Sequence, residues 1–242
     1  MQFLRALRIS RVLKESSMNI KTVFTALPLA LAASVFLPSC ATKSGSGLAA
    51  YHAYDRPAKK PSNPSAVTVK VSLSKQRVYV KEGSETLLVM PVSVGSPGST
   101  TPQGNFRIFK KEHKHRANSH GYAYQGNQVK QTKIGGIPSG WKFKGTPMPY
   151  WCEFKPNYGF HTGWVKHHPC THGCIRMHEN VAPKFYALVK VGTPVNIAYS
   201  QPDDANTGNI PLPPDAGPLP DYTGTMYTGD GYFSQHKQVK WD

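Results

Sequence analysis

The chain has 242 residues, and 29 Lys and Arg against 13 Asp and Glu give it a formal net charge of +16. This length is enough for one sizeable domain with tails, and 39% hydrophobic residues with 21 Gly and 21 Pro suit a loop-rich β protein. No recognition-helix pattern, aromatic RNA-binding motif or zinc-finger spacing accompanies the basic charge, so we predict no nucleic-acid partner. An anionic, carboxylate-rich cell wall is the simpler partner, and solubility alone is the alternative reading of the charge.

Residues 1–40 have the charged-then-hydrophobic plan of an export signal. The apolar run 23–37 ends in Leu37-Pro38-Ser39-Cys40, which resembles a bacterial lipobox, where the cysteine is lipidated and becomes the mature N-terminus. An ordinary cleaved signal or a short membrane anchor is the alternative, and the start codon is either Met1 or Met18. We expect an exported, periplasmic or cell-envelope protein, attached to the membrane through lipidated Cys40.

Loss of residues 1–39 removes five basic residues and one acidic residue, so the mature chain keeps a formal charge of +12. Residues 41–66 are small and polar, and we predict a tether there. From residue 67 to residue 73, apolar and polar side chains alternate at the period of a half-buried strand. A second strand begins at Arg77, and turn residues at 81–84 lead into a third, which predicts a hairpin or meander.

Residues 110–145 form a basic segment with little periodicity, rich in Gly and His. Aperiodic segments of this length inside a domain are usually functional lids or disordered loops. We interpret the segment as a flap over a cleft, with a variable surface loop as the alternative.

The motif Gly159-Phe160-His161-Thr162-Gly163, followed by Thr171-His172-Gly173-Cys174-Ile175-Arg176, combines one cysteine with two histidines and a glycine directly before the cysteine. A cysteine attacks acyl groups as the thiolate, so it needs a base or a cation beside it. A preceding glycine lets consecutive backbone N–H groups converge on an oxyanion. The pattern therefore predicts a nucleophile site at Cys174.

These two elements resemble the active-site signature of the L,D-transpeptidase (YkuD) family, as does the turn Thr101-Pro102-Gln103-Gly104-Asn105-Phe106. The resemblance covers about residues 67–199, which we assign as the catalytic domain. It implies a mainly β, sandwich-like α+β domain with a short helix after the nucleophile. It also implies acyl transfer through a thioester, with peptidoglycan stem peptides as partners and substrates.

The resemblance also implies roles for individual residues. His161 is the base, with the backbone carbonyl of Thr162 holding its tautomer. His172, two residues from Cys174, competes for that role because both side chains would share a face of an extended strand. The N–H groups of Gly173 and Cys174 are the expected oxyanion donors. The predicted substrate contacts are Arg176, Thr171, Thr162 and Tyr150. Two of them have a structural alternative: Arg176 could hold the loop in place instead, and Tyr150 could pack in the core.

Downstream of the motif, the apolar positions 181, 185, 188 and 189 fall on one face of a short helix, which would put Cys174 near a strand-to-helix junction. Residues 195–199 read as a closing strand. The Pro-rich segment 200–242 is predicted to be an extended C-terminal tail, whose aromatic end could pack on the domain. We expect a monomer.

Four alternatives stand beside an L,D-transpeptidase that crosslinks or modifies stem peptides. If water is the acceptor, the enzyme is an L,D-carboxypeptidase, and a protein acceptor would make it a wall-anchoring transferase. From other classes come a non-catalytic wall-binding module and a zinc-binding module, the latter because Cys170-x₃-Cys174 interleaves with His168-x₃-His172. No cofactor or metal is predicted.

The remaining cysteines suggest a disulfide. If Cys40 is lipidated and Cys174 must be free, Cys152 and Cys170 are left in an oxidising compartment. We therefore hypothesise a Cys152–Cys170 bridge that braces the spacer between the two motif elements.

Overall fold

The computed structural model describes residues 47–214, 228–236 and 239. The predicted signal, the lipobox at Cys40, the first residues of the predicted tether and much of the C-terminal segment lie outside the described residues. All described residues belong to one unit. No helix in this described part has the length and apolar character needed to cross a membrane.

Strands dominate the described residues. In chain order they are β1 Val67–Ser72, β2 Arg77–Glu82, β3 Glu85–Ser93, β4 Gly104–Arg107, β5 Lys110–Glu112, β6 Arg116–Gln125, β7 Gln128–Lys133, β8 Lys142–Pro147, β9 Trp151–Lys155, β10 Tyr158–Thr162, β11 Ile175–Met177 and β12 Pro194–Ala198. The helices are α1 Leu48–Ala53, α2 Ala182–Leu188, α3 Asp203–Asn206 and α4 Gly231–Ser234, and a 3₁₀ turn covers Ile134–Gly136.

Nine strands form a curled sheet in the order β4-β12-β1-β2-β3-β11-β10-β9-β5, and β7-β6-β8 form a separate three-stranded sheet. The rings of Phe106 in β4 and Phe154 in β9 pack at 5.3 Å, so the curl brings distant strands of the large sheet together. The predicted mainly β fold is confirmed.

The alternation of apolar and polar residues at positions 67–73 corresponds to β1. Val67, Val69 and Val71 are at most 1% exposed, whereas the side chains between them are half-buried. β1 pairs antiparallel with β2 and parallel with β12, and β2 pairs antiparallel with β3 across the turn at 81–84, which confirms the predicted meander and the closing strand. These strands carry the apolar side chains of one hydrophobic core.

The helix predicted after the nucleophile is α2. Its buried side chains are Ala182, Phe185 and Leu188, and the Phe185 ring packs on Phe160 of β10 at 4.6 Å. Pro183 lies in the first turn, where its missing N–H costs no intrahelical bond. The helix therefore closes the core behind the strand that carries His161.

The predicted tether is wrong for the described residues 47–66, because α1 packs against the domain. Tyr51 is 1% exposed, and its hydroxyl accepts a bond from the Val165 N–H at 2.9 Å. The Tyr54 hydroxyl donates to the Pro211 carbonyl at 2.9 Å. A segment poor in aliphatic residues can still dock, because each tyrosine buries a large ring and satisfies its own hydroxyl.

The predicted extended tail also needs correction where it is described. In α3, the Asp203 carboxylate accepts bonds from Lys70 and Lys81 of β1 and β2. The aromatic end packs, as the sequence analysis allowed: in α4, Tyr232 and Phe233 are 6% and 2% exposed. The described parts of the segment therefore include short, packed helices.

The segment at 110–145, read as aperiodic, is mostly strand. Its β6 pairs with β7 and β8 to form the three-stranded sheet. Strand β7 is an edge of this sheet and is largely exposed, so no buried face imposes an apolar alternation on its sequence.

Candidate active site

A cavity of about 810 Å³ lies where the three-stranded sheet, the β9–β10 hairpin and the loop before β11 meet. Most of the side chains predicted for the site line it: Cys174, His161, His172, Thr171, Thr162 and Arg176. The three-stranded sheet contributes Asn118, His120, Tyr122 and Gln131, which is the position expected of a flap over a cleft.

The β9–β10 hairpin sets the surroundings of the cysteine. A bulge between Tyr158 and Gly159 shifts the register against β9, and the Gly159 N–H lies near the Cys174 sulfur, where it acts to lower the pKa of the thiol. The Cys174 thiol in turn donates to the Asn157 carbonyl at 3.6 Å. Bulges commonly redirect groups beside functional sites, and here the bulge directs a backbone donor at the sulfur.

The loop before β11 is fastened to the end of β3. The Val94 carbonyl accepts the N–H groups of both Cys170 and Thr171 at 3.0 Å. Inside the loop, the Thr171 hydroxyl accepts the Gly173 N–H at 3.1 Å and donates to the Cys174 carbonyl. Cys174 thus directly precedes β11 instead of ending a strand.

Two expectations for this loop are corrected. The Gly173 N–H donates to the Thr171 hydroxyl, so one of the two expected oxyanion donors already has a partner within the loop. The same-face argument for His172 also fails, because Gly173 has φ +108° and breaks the extended path between His172 and Cys174.

Gly173 is required by its conformation and by its surroundings. A Cβ at this position would lie 2.5 Å from Cε1 of Tyr158. We expect Gly173→Ala to lose roughly 1–3 kcal/mol of stability to backbone strain alone and, in addition, to displace the Tyr158 ring and slow alkylation of Cys174. Calorimetry and peptide mapping after timed alkylation measure the two effects.

Gly192→Ala is the matched control for Gly173→Ala. Gly192 has φ +93°, and no atom lies within 4 Å of the position that an added methyl would take, so the substitution carries the backbone strain without a clash. We expect Gly192→Ala to lower the unfolding temperature and leave Cys174 alkylation unchanged. Equal slowing of alkylation in both variants would contradict the steric argument.

His161 is buried, with 8% of its surface exposed, and its Nδ1 is 2.8 Å from the Thr162 carbonyl. Nδ1 therefore carries the proton and Nε2 is the basic nitrogen. Burial, reinforced by the positive charge of Arg176, lowers the pKa of His161 to about 3. The imidazole is neutral at physiological pH, as a general base must be before it accepts a proton.

Cys174 is a thiol at rest. Burial raises its pKa above the ordinary value, and the Gly159 N–H and the Arg176 charge offset only part of that rise. Attack therefore requires removal of the thiol proton during the reaction, which is the task of a base such as neutral His161.

Arg176 supports the spacer and adds positive charge. It lies opposite His161 in the parallel β10–β11 register, and its Nη1 is 3.9 Å from the Cys170 sulfur. A Cβ on Gly163 would be 3.0 Å from the Arg176 Cδ, so the arginine stem packs directly on that glycine. Arg176 thus has the loop-pinning contacts while it also lines the cavity.

His172 is exposed and stacks on His120 of β6 at 4.8 Å between ring centroids. The stack joins the loop that carries the cysteine to the three-stranded sheet. His172 thereby shapes the cavity wall, whereas His161 is the histidine with a fixed tautomer.

Tyr150 is not a substrate contact. It is 1% exposed, belongs to the hydrophobic core and is absent from the cavity lining, and its ring packs on His113 at 4.8 Å. The aromatic that reaches the cavity from this region is its neighbour Trp151.

The hypothesised disulfide is also contradicted, because Cys152 and Cys170 are both free. Cys152 is fully buried in β9, between Lys111 of β5 and Phe160 of β10, whereas Cys170 lies in the partly exposed loop. Burial raises the pKa of Cys152 to about 12, so this thiol is inert.

Sequence reasoning missed several cavity residues, among them Asn157, Tyr158 and Glu153. Asn157 adopts the left-handed region at φ +67°, and its side chain accepts a bond from Asn118 of β6 at 3.0 Å. The Pro156-Asn157 pair between β9 and β10, typical of a turn, was the available clue. Within the described ranges, no group of three or more His, Cys, Asp or Glu side chains is placed to hold a metal ion.

A family model described as the L,D-transpeptidase catalytic domain (YkuD) matches residues 66–197, more than half of the chain. Among solved structures, an L,D-transpeptidase from Stackebrandtia nassauensis is 23% identical, with 60% of each chain covered and a TM-score of 0.43. One from Mycobacterium smegmatis is 20% identical, with 55% of this chain and 58% of that chain covered and a TM-score of 0.42.

A third L,D-transpeptidase structure, from Xylanimonas cellulosilytica, is 18% identical, with 57% of this chain and 63% of that chain covered and a TM-score of 0.42. The match therefore spans less than two thirds of the length of each of these three chains. No curated protein sequence matches the chain.

Proposed function

The chain belongs to the L,D-transpeptidase (YkuD) catalytic domain family, and on this premise we propose that it transfers acyl groups between peptidoglycan stem peptides through a thioester on Cys174. The observation that carries the proposal is the pairing within one cavity of a thiol with a histidine whose Nδ1 is fixed by the Thr162 carbonyl. That bond leaves Nε2 of neutral His161 as the proton acceptor.

In the first half-reaction, the Cys174 sulfur attacks the carbonyl between the third and fourth residues of a donor stem peptide. His161 takes the thiol proton and passes it to the amine of the departing terminal D-amino acid. The Cys174 N–H stabilises the oxyanion of the tetrahedral intermediate. The peptide bond is exchanged for a thioester, so the reaction needs no ATP.

In the second half-reaction, an amine of a neighbouring stem peptide attacks the thioester. The C–N bond forms as the C–S bond breaks, and the amine proton returns to the cysteine through His161. The resting thiol donates to Asn157 and not to His161, so the side chain turns toward the imidazole when the donor binds.

The test is incubation with a tetrapeptide donor, with and without an amine acceptor. A thioacyl adduct on the peptide containing Cys174, followed by a new amide product, is the expected result by intact-mass and product analysis. Release of the terminal amino acid with water as the only acceptor would instead make the protein an L,D-carboxypeptidase. Absence of any adduct would refute the proposal.

We also propose that the protein works outside the cytoplasm as a lipoprotein anchored at Cys40. The lipobox-like Leu37-Pro38-Ser39-Cys40 and the basic charge support this location, since the wall is anionic. Detergent-phase partitioning with mass spectrometry of the mature N-terminus is the test, and a soluble mature form that begins after Cys40 would refute it.

A further inference from the structure

Strand β9 presents one face to the cavity and the other to the core. Trp151 and Glu153 line the cavity. The residues that alternate with them, Cys152 and Phe154, belong to the hydrophobic core. Successive side chains of a strand point to opposite faces, so Trp151 and Glu153 are neighbours on the cavity face. The proposed mechanism gives Glu153 no role, although it lines the same cavity as Cys174.

The Glu153 carboxylate bridges β9 and the turn that leads into β10. Its Oε2 accepts the indole N–H of Trp151 at 3.2 Å, and its Oε1 accepts the backbone N–H of Asn157 at 2.9 Å. Asn157 has a left-handed φ of +67°, which a residue other than glycine keeps only when its surroundings hold it. A hydrogen bond to an ionised carboxylate is among the stronger kinds, so Glu153 is suited to hold this turn.

Each of these two hydrogen-bond partners lies beside one member of the proposed nucleophile–base pair. The Asn157 carbonyl accepts the Cys174 thiol at 3.6 Å. The Trp151 ring centroid is 6.1 Å from that of His161. A Cβ on Gly159 would lie 2.7 Å from Cη2 of Trp151, so the indole packs directly on the backbone of β10. One carboxylate therefore holds both the turn that contacts the nucleophile and the ring that supports the strand of the base.

The same carboxylate also acts on the thiol through its charge. Burial is the main cause that raises the pKa of Cys174, and the Gly159 N–H and the Arg176 charge act to lower it. The negative charge of Glu153 acts in the raising direction. The charged side chains that act on the thiol are thus Arg176 of β11 and Glu153 of β9, while His161 of β10 is neutral. A loss of charge at Glu153 should therefore be measurable at the sulfur.

We propose that Glu153 is a positioning residue, whose carboxylate bridges Trp151 and Asn157 and thereby holds the nucleophile and the base in the arrangement that a donor meets. This inference rests on the proposed function and adds a residue that acts through its neighbours. Acylation requires the thiol, the imidazole and the donor carbonyl in one narrow geometry, and ordering the first two raises the rate. Glu153 should therefore govern the rate of acylation at saturating donor, and the half-saturating donor concentration much less.

The charge of Glu153 is tested by the pH profile of Cys174 alkylation with iodoacetamide, which needs no donor. Glu153→Gln removes the charge at nearly constant size, so the midpoint of the profile should move to lower pH. Glu153→Asp keeps the charge, so its midpoint should move less. Peptide mapping isolates the Cys174 signal from the other cysteines. A midpoint that stays at the wild-type pH in Glu153→Gln would show that the carboxylate does not act on the thiol, and would overturn the proposal.

The bridge is tested by acylation kinetics with a donor. Aspartate is one methylene too short to span both N–H groups, and glutamine offers one acceptor oxygen in place of two. Each variant should lower the saturating acylation rate by about 3- to 100-fold, as expected for loss of a hydrogen bond to a charged group. The half-saturating donor concentration should change by less than about twofold, because uniform donor binding is untouched. An unchanged saturating rate in both variants, or a loss confined to the half-saturating concentration, would contradict a positioning role.

Glu82→Gln is the matched control. The Glu82 carboxylate of β2 also bridges two N–H groups, those of Ser62 at 2.8 Å and Asn63 at 2.6 Å, and it does not line the cavity. This variant should leave the alkylation midpoint and the acylation rate unchanged, and losses equal to those at Glu153 would overturn the assignment. A protein that no donor acylates would refute the proposed function instead, and the alkylation profile would still decide whether Glu153 acts on the thiol.

Discussion

Replacement of Cys174 by alanine is expected to abolish both the covalent adduct with acyl donors and the transfer reaction. Carbapenems are suitable reagents, because the family resemblance implies that these strained acyl donors trap the cysteine. Cys174 lines the cavity beside the Gly159 N–H and the positive charge of Arg176. Intact-mass measurement after incubation with a carbapenem should show one adduct on the wild type and none on Cys174→Ala.

The other two described cysteines are the controls for Cys174→Ala. Cys152 is completely buried in the core, and a buried thiol of raised pKa does not react. Cys170 is partly exposed but does not line the cavity. Cys170→Ala should therefore retain the full adduct, and an adduct that survives in Cys174→Ala would transfer the nucleophile to Cys170.

The meeting of Cys174 and His161 in one cavity was predictable, because both residues belong to short motifs. The resemblance implied that the carbonyl of Thr162 fixes His161, and the hydrogen bond at 2.8 Å has this geometry. The strand pattern at 67–73 was equally readable, since a two-residue period depends only on which face is buried. Both predictions use information confined to a few consecutive residues.

The orientation of the nucleophile loop was not predictable, because it depends on a local competition between hydrogen bonds. The Thr171 hydroxyl captures the Gly173 N–H that was expected to face the oxyanion. A Thr side chain can bond to water or to the backbone two residues on, and the sequence does not choose between them. The positive φ of Gly173, which separates His172 from Cys174, follows from the same turn.

The ends of the domain were misjudged for a different reason. Composition treats Tyr51 and Tyr232 as isolated aromatics in polar segments, yet both are nearly buried and line the cavity. Their docking depends on surfaces presented by residues more than a hundred positions away, such as Val165 for Tyr51. The disulfide hypothesis failed similarly, because counting cysteines takes no account of Cys152 facing the core.

The second large effect is expected at His161. His161→Ala should slow acylation of Cys174 by about 10²–10⁴-fold, the usual contribution of a positioned general base. His172→Ala should cost much less, because His172 is exposed and its ring packs on His120 at the cavity wall. Acylation rates by intact mass decide between them, and a larger loss at His172 would reassign the base.

The pH dependence gives an independent test of the same assignment. Burial and the Arg176 charge lower the pKa of His161 to about 3, so this base stays unprotonated as pH falls from 7 to 5. The acylation rate should therefore show no acid limb in that interval. A limb there that disappears in His172→Ala would show that the exposed imidazole, and not the buried one, takes the thiol proton.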